Sequence, residues 1–170
     1  MSSFLQESTQ FANALDQLQG KSVLVLGHRR PDGDCIGSQV ALTRVLINLG
    51  IDAKAVNQDP VPRTLIKFVG DTPFFSPQEV EGNEFVIVTV DCADQKRVGD
   101  ELSKRFPQVF LNVDHHVSNN DYGEINLVLS NASATGEILA KFFLDCEFTI
   151  DSTTADGLYL GIATDTGQFC

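Results

Sequence analysis

His28, Asp32 and Asp34 fall within seven positions of the stretch LGHRRPDGDCIGS, residues 26–38, where an apolar run gives way to glycines and polar residues. An imidazole and two carboxylates so placed are neither core residues nor an ordinary solvated face. Comparable chemistry recurs at VDCAD, residues 90–94, with Asp91, at VDHH, residues 113–116, with Asp114, His115 and His116, and again at Asp165. One aspartate after a strand is ordinarily a turn former or helix cap, and one histidine is ordinarily structural. Three strand ends with the same chemistry argue otherwise, because crowded carboxylates repel unless cations neutralise them. Carboxylates with a minority of imidazoles suit Mn²⁺ or Mg²⁺ better than the thiolate-rich sites of structural zinc. The four aspartates Asp32, Asp34, Asp91 and Asp165 offset the charge of two divalent ions. Paired ions about 3.5–4 Å apart serve in-line attack on phosphorus.

The elements that must position these groups alternate along the chain. Apolar spacing over 4–18 predicts a helix stopped by Gly20, and the unbroken SVLVLG that follows predicts a strand covered on both faces. Ile36, Val40, Ala41, Val45, Leu46 and Leu49 mark one face of a helix closed by Gly50, and IDAKAVN is the next strand. Residues 60–77 read as a turn-rich connection around a short TLIKFV helix. EFVIVTV is a strand ending on Asp91, a charged helix covers 98–106, and VFLNV is a strand ending on Asp114, His115 and His116. Ser133 or Thr135 can cap a helix through Ile138, Leu139, Phe142 and Phe143, and a last helix over 153–163 delivers Asp165. Gly33 and Gly37 are expected to permit a tight strand-to-helix turn. This order predicts an α/β domain with a mostly parallel sheet flanked by helices, in which ligands bind outside the carboxyl ends of the strands.

Composition bounds the partners. A chain of 170 residues with 42% hydrophobic content can bury a full core as one compact domain. Its net charge of −11, with no basic run longer than Arg29-Arg30, disfavours a groove for long nucleic acid, so a small anionic substrate needs local help such as metal cations. Arg29 and Arg30 read as solvated side chains, and the twelve phenylalanines read as mostly core, with base stacking by Phe74 or Phe75 as the alternative. Cys35, Cys92, Cys146 and Cys170 form no CxxC pair and read as buried free thiols. With no basic leader and no apolar run of about 20 residues, a cytoplasmic protein without membrane contact is expected.

Four motifs in order, HRRPDGDCIGS at 28–38, VDCAD at 90–94, VDHHVSN at 113–119 and GIATDTG at 161–167, resemble those of the DHH phosphoesterase family, named for the triplet that stands here as Asp114-His115-His116. The PDGD followed by GS, the ADQKRVG continuation after Asp91 and the segment SNASATGEI are most similar to the bacterial oligoribonuclease and 3′-phosphoadenosine 5′-phosphate phosphatase group. The resemblance implies one ion held by His28, Asp32 and Asp91 and a second held by Asp34, Asp91, His115 and Asp165, with Asp91 bridging. It makes Asp114 the acid that orients a ligand histidine, sets His116 against the substrate phosphate as electrophile or acid, and places Arg97 as a phosphate contact. Mn²⁺ is the implied cofactor, with Mg²⁺ or Co²⁺ as alternatives.

The implied activity is hydrolysis of short oligonucleotides or of a nucleotide 3′-phosphate such as 3′-phosphoadenosine 5′-phosphate. Pyrophosphatase, polyphosphatase and cyclic dinucleotide phosphodiesterase readings use the same centre, and a metal-binding domain inactive without its partner domain is the non-enzymatic alternative. The family continues past the DTG motif into a smaller C-terminal substrate-binding domain, so residues 1–170 are expected to be the catalytic half alone. A homodimer is left open.

Overall fold

The computed structural model describes residues 4–167, in which six strands and six helices alternate. They are α1 Leu5–Asp16, β1 Ser22–Leu26, α2 Gly33–Asn48, β2 Asp52–Val56, α3 Ile66–Val69, β3 Phe74–Phe75, β4 Val86–Val90, α4 Asp100–Arg105, β5 Leu111–Asp114, β6 Ile125–Val128, α5 Thr135–Asp145 and α6 Ser152–Asp165. The sheet order is β3-β2-β1-β4-β5-β6, and every pairing is parallel. The expected α/β class therefore stands, with a wholly parallel sheet. β6 lies in a stretch expected to carry no element, because its INLV is short and half-buried at the sheet's edge, without a long apolar run to announce it. β3 arises inside the expected connection, where Phe74 and Phe75 extend the sheet beyond β2.

Burial on both faces explains why β1 reads as a continuous apolar run. Val23 and Val25 join the core beneath α1, α2 and α5, with Phe11, Leu42, Leu46, Phe142 and Phe143. Leu24 and Leu26 join the opposite core, with Val56, Ile87, Leu102 and Phe106. Cys35 and Cys92 are buried free thiols as expected; Cys146 is free but only half-buried, and Cys170 lies outside the described residues. Among the described residues no helix is long and apolar enough to cross a membrane.

Glycine matters most where α2 meets α6. Gly37 lies inside α2 rather than in the turn before it, and a Cβ there would run into the carbonyl oxygen of Gly157. Gly161 sits equally tightly against the Asp34 carboxylate, so the two helices approach to backbone contact and the end of α6 reaches the sheet's carboxyl edge. The Gly37 expectation is corrected accordingly: this glycine serves helix packing, not turn geometry. We expect Gly37→Ala to lower stability by about 1–3 kcal/mol through overpacking, read by urea denaturation. A loss under about 0.5 kcal/mol, the range of neutral surface changes, would show that the helices can part freely.

Candidate metal centre

The sheet order reverses between β1 and β4, and at such a switch point the loops leave in opposite directions and open a crevice. His28 stands two residues beyond β1, and Asp91 is the first residue after β4. Asp91 holds φ 54, a left-handed conformation that aspartate adopts more readily than most residues other than glycine, while its N–H donates to the Val113 carbonyl at 3.0 Å. Asp32 caps α2 by accepting the Cys35 N–H at 3.1 Å, and Asp34 lies in the first turn of the same helix. His115 and His116 follow β5 directly. Asp165 is the last residue of α6, which ends two residues beyond the expected helix.

These residues meet. His28 Nε2 lies 3.5 Å from Asp91 Oδ2 and 3.7 Å from Asp32 Oδ2. His115 Nε2 lies 3.5 Å from the other Asp91 oxygen, Oδ1, 3.9 Å from Asp34 Oδ2 and 3.2 Å from Asp165 Oδ2. None of those three contacts has hydrogen-bonding geometry, so a buried ring nitrogen faces three carboxylates without a hydrogen bond. A cation between them would remove the anomaly. On His28 the tautomer is settled by its other nitrogen: Nδ1 lies 2.8 Å from the Arg29 carbonyl, which can only accept, so Nδ1–H donates and the neutral ring has a bare Nε2 lone pair.

Burial and crowding govern the charges. Asp34 is pushed up to about 8, first by burial and then by the Asp91 charge, against the hydrogen bonds donated to it by the Gly136 and Thr135 N–H groups. Burial likewise raises Asp91. Pairing with Asp165 raises His115 to about 9 despite burial. For His28 burial works downward, but contacts with Asp32 and Asp91 outweigh it and the net direction is up. Without cations the cluster thus holds protons where a divalent ion would hold positive charge.

The supporting groups were mostly not singled out by sequence reasoning. Asp34 accepts the N–H groups of Thr135 at 2.7 Å and Gly136 at 2.8 Å, at the start of α5, and the Thr135 hydroxyl donates to Asp91 Oδ1 at 3.2 Å. The cap of α5 is therefore this distant carboxylate; Ala134 is the N-cap residue, rather than Ser133 or Thr135 acting through its side chain. The segment SNASATGEI carried the resemblance, yet nothing in its spacing assigns Thr135 or Gly136 a partner 101 or 102 residues away. Asn119, the last residue of VDHHVSN, donates to Asp114 Oδ2 at 2.6 Å and is itself held by Asn112 at 3.1 Å.

Asp114 takes the backbone N–H groups of His115 and His116 at 2.8 and 3.3 Å and the His116 Nδ1–H at 2.7 Å. The ring it orients is that of His116, whereas the expected ligand His115 is held only through its backbone. Burial would raise the Asp114 carboxyl, but the hydrogen bonds from His116 and Asn119 outweigh it and keep the group below the usual carboxylate range. Asp114 in turn raises His116. Cys35 Sγ lies within the cluster beside His28 and Asp91, and burial lifts its thiol to about 11, so it stays protonated in the ion-free protein. Arg97 stands apart: it lines a pocket with Arg29 and Arg30, and its carbonyl accepts the Arg29 N–H at 2.6 Å.

Fold and cluster together define a parallel α/β domain with a carboxylate–imidazole centre at its switch point. The DHH family N-terminal domain matches residues 22–162, and the chain belongs to that family. It is 32% identical, over 93% of its length and 47% of the relative's, to the "Bifunctional oligoribonuclease and PAP phosphatase NrnA" of Thermus thermophilus. Its identity to the "Probable manganese-dependent inorganic pyrophosphatase" of Streptococcus mutans is 27%, over 85% of this chain and 48% of that protein. In fold it is similar to the crystal structure of an exopolyphosphatase-related protein from Bacteroides fragilis, with a TM-score of 0.83 at 23% identity, covering 99% of this chain and 53% of that one. The chain spans about half the length of the curated relatives it matches.

The raised groups set a pH dependence. Asp34 binds its proton more tightly folded than unfolded, and so does His115, so the stability they contribute is fully present only below their unfolded values and is lost as pH rises through about 8 and 9. In chelator, the melting temperature should fall as pH rises from about 5 to about 9, and Mn²⁺ should abolish most of that fall. A melting temperature independent of pH over that window in chelator would contradict the buried-carboxylate account.

Proposed function

We propose that this chain is the catalytic domain of a dinuclear-metal phosphohydrolase acting on short oligonucleotides and on a nucleotide 3′-phosphate such as 3′-phosphoadenosine 5′-phosphate. The observation that carries it is the Asp91 carboxylate, whose Oδ2 faces His28 and whose Oδ1 faces His115, a ring nitrogen lacking any hydrogen bond. His28, Asp32 and Asp91 would hold one ion and Asp34, Asp91, His115 and Asp165 the other, with Asp91 serving both. Mn²⁺ fits the carboxylate-rich donor set, and the similarity to a protein named for manganese dependence supports it. When bound, two such cations supply Lewis acidity toward phosphoryl oxygens and lower the pKa of water.

The chain's own residues do the rest. Asp114 accepts the hydrogen bond of His116 Nδ1–H, favours the charged ring and would leave Nε2 to meet the substrate phosphate as donor. Arg97 is the phosphate contact that the motif resemblance suggests. The similarity to a nucleotide phosphatase and oligoribonuclease favours nucleotide substrates, while the similarity to a pyrophosphatase makes inorganic pyrophosphate the competing substrate. We take residues 1–170 as a catalytic domain whose substrate clamp belongs to a separate C-terminal domain, a division supported by the half-length coverage of the relatives. Free thiols at Cys35, Cys92 and Cys146 support placing the protein in the cytoplasm.

Asp91→Ala should remove both ions and at least about 1,000-fold of activity, about 4 kcal/mol of barrier, whereas Asp165→Ala should retain one ion. Metal analysis beside rates on a dinucleotide, 3′-phosphoadenosine 5′-phosphate and pyrophosphate checks this, and unchanged metal content in Asp91→Ala refutes the bridging role. His116→Gln should keep both ions yet lose about 100-fold or more in kcat, as removal of a proton donor does. Loss of metal in that variant would make His116 a ligand instead.

A further inference from the structure

A pocket of about 420 Å³ beside the His28 loop is lined by Arg29, Arg30, Gln58, Asp59 and Arg97. Half of the six arginines of a chain with net charge −11 thus converge on one cavity. Among the described residues no carboxylate lies within ion-pairing distance of these three guanidinium groups. Arg44, by contrast, is paired with both Asp71 and Asp151. Asp59, the one acid of the lining, already accepts the Arg30 backbone N–H at 2.8 Å. Gln58 gives its carbonyl oxygen to the Glu101 N–H at 3.0 Å, which leaves its amide nitrogen as its donor end. The lining therefore sets three guanidinium groups and the Gln58 amide against the single carboxylate of Asp59, an excess of donors and of positive charge.

The backbone is arranged to hold this set beside the metal centre. Arg30 adopts φ 54, a strained conformation that persists only where its surroundings enforce it. Arg29 donates its N–H to the Arg97 carbonyl at 2.6 Å and accepts His28 Nδ1–H on its own carbonyl at 2.8 Å. The contact to the ring of His28 is made by the Arg29 main-chain carbonyl alone, so the Arg29 side chain is free to line the pocket and can be replaced without removing that carbonyl. Planar guanidinium groups favour phosphate oxygens, and a dianionic monoester gains most from several at once. The cavity exceeds what one phosphate needs, yet its lining holds no aromatic ring on which a base could stack.

We propose that this pocket is a subsite for a terminal phosphate monoester of the substrate, distinct from the phosphate that is cleaved, and that it reads phosphorylation rather than base identity. The inference rests on the nucleotide phosphohydrolase reading above and refines it: the preferred substrate carries a second phosphate on its sugar end. Arg29 and Arg30, expected from sequence to be merely solvated, become specificity-determining residues.

Two measurements on the protein and on Arg29→Gln/Arg30→Gln test it. In EDTA, titration calorimetry should show adenosine 5′-monophosphate binding about tenfold or more tighter than adenosine, and the double variant should erase that difference. With Mn²⁺, the variant should raise KM about tenfold for 5′-phosphorylated dinucleotides, adenine- and uracil-containing alike, and leave 5′-hydroxyl dinucleotides within about twofold. Unchanged circular dichroism and Mn²⁺ content show that the variant is folded. Equal binding of adenosine and its monophosphate by the wild type, or a variant that weakens both kinds of dinucleotide alike, overturns the proposal. If the wild type hydrolyses neither dinucleotide while the calorimetric difference and its loss persist, the phosphohydrolase reading falls and the phosphate pocket stands.

Discussion

The structure depends on a crowd of carboxylates kept out of water. Asp34 and Asp91 are buried beside one another and near Asp165; burial and the Asp91 and Asp165 charges raise the cost of ionising Asp34, and burial and the Asp32 charge raise that of Asp91. Buried like charges are tolerated only where protons, cations or oriented dipoles offset them. The fold supplies the dipoles: the first N–H groups of α5 are donated to Asp34, and the left-handed turn at Asp91 aims both of its oxygens into the crevice. What these do not offset is left for protons in the ion-free protein, or for divalent cations in the functional one we propose.

Holding those groups together needs close approach of elements far apart in sequence. Gly37 against Gly157 and Gly161 against Asp34 let α6 lie on α2 at backbone distance, so Asp165 reaches a site otherwise made at the ends of β1, β4 and β5. A methyl group at either contact would push α6 away. The integrity of the centre is thereby tied to the packing of two helices as much as to its ligands.

Asp114 divides the labour of the triplet. By accepting the His116 ring proton and both following backbone N–H groups, it fixes the turn after β5, and Asn119 and Asn112 extend that fixation into the sheet. His115 points a nitrogen without a hydrogen bond at the carboxylates while His116 lies against it, ring centroids 4.5 Å apart, with more exposure to the crevice. Adjacent residues of one type thus take opposite tasks because a single acid holds one of the two rings.

The sequence alone determined the parallel α/β architecture, because strands covered on both faces must be nearly continuously apolar, and SVLVL and VIVTV carry one polar residue each. It also determined which strand ends carry the acids and imidazoles, since carboxylates and histidines at the end of an apolar run have no structural excuse for recurring three times. Only the tertiary structure decided the partners. The His115 nitrogen without a hydrogen bond, the carboxylate of Asp34 as the cap of α5 and the gathering of Arg29 and Arg30 with Arg97 around one cavity depend on distances between segments tens of residues apart. Local spacing carries no information about them. β6 escaped for a related reason: an edge strand of four residues, of which only Leu127 is buried, owes its existence to the neighbour it pairs with, not to its own pattern.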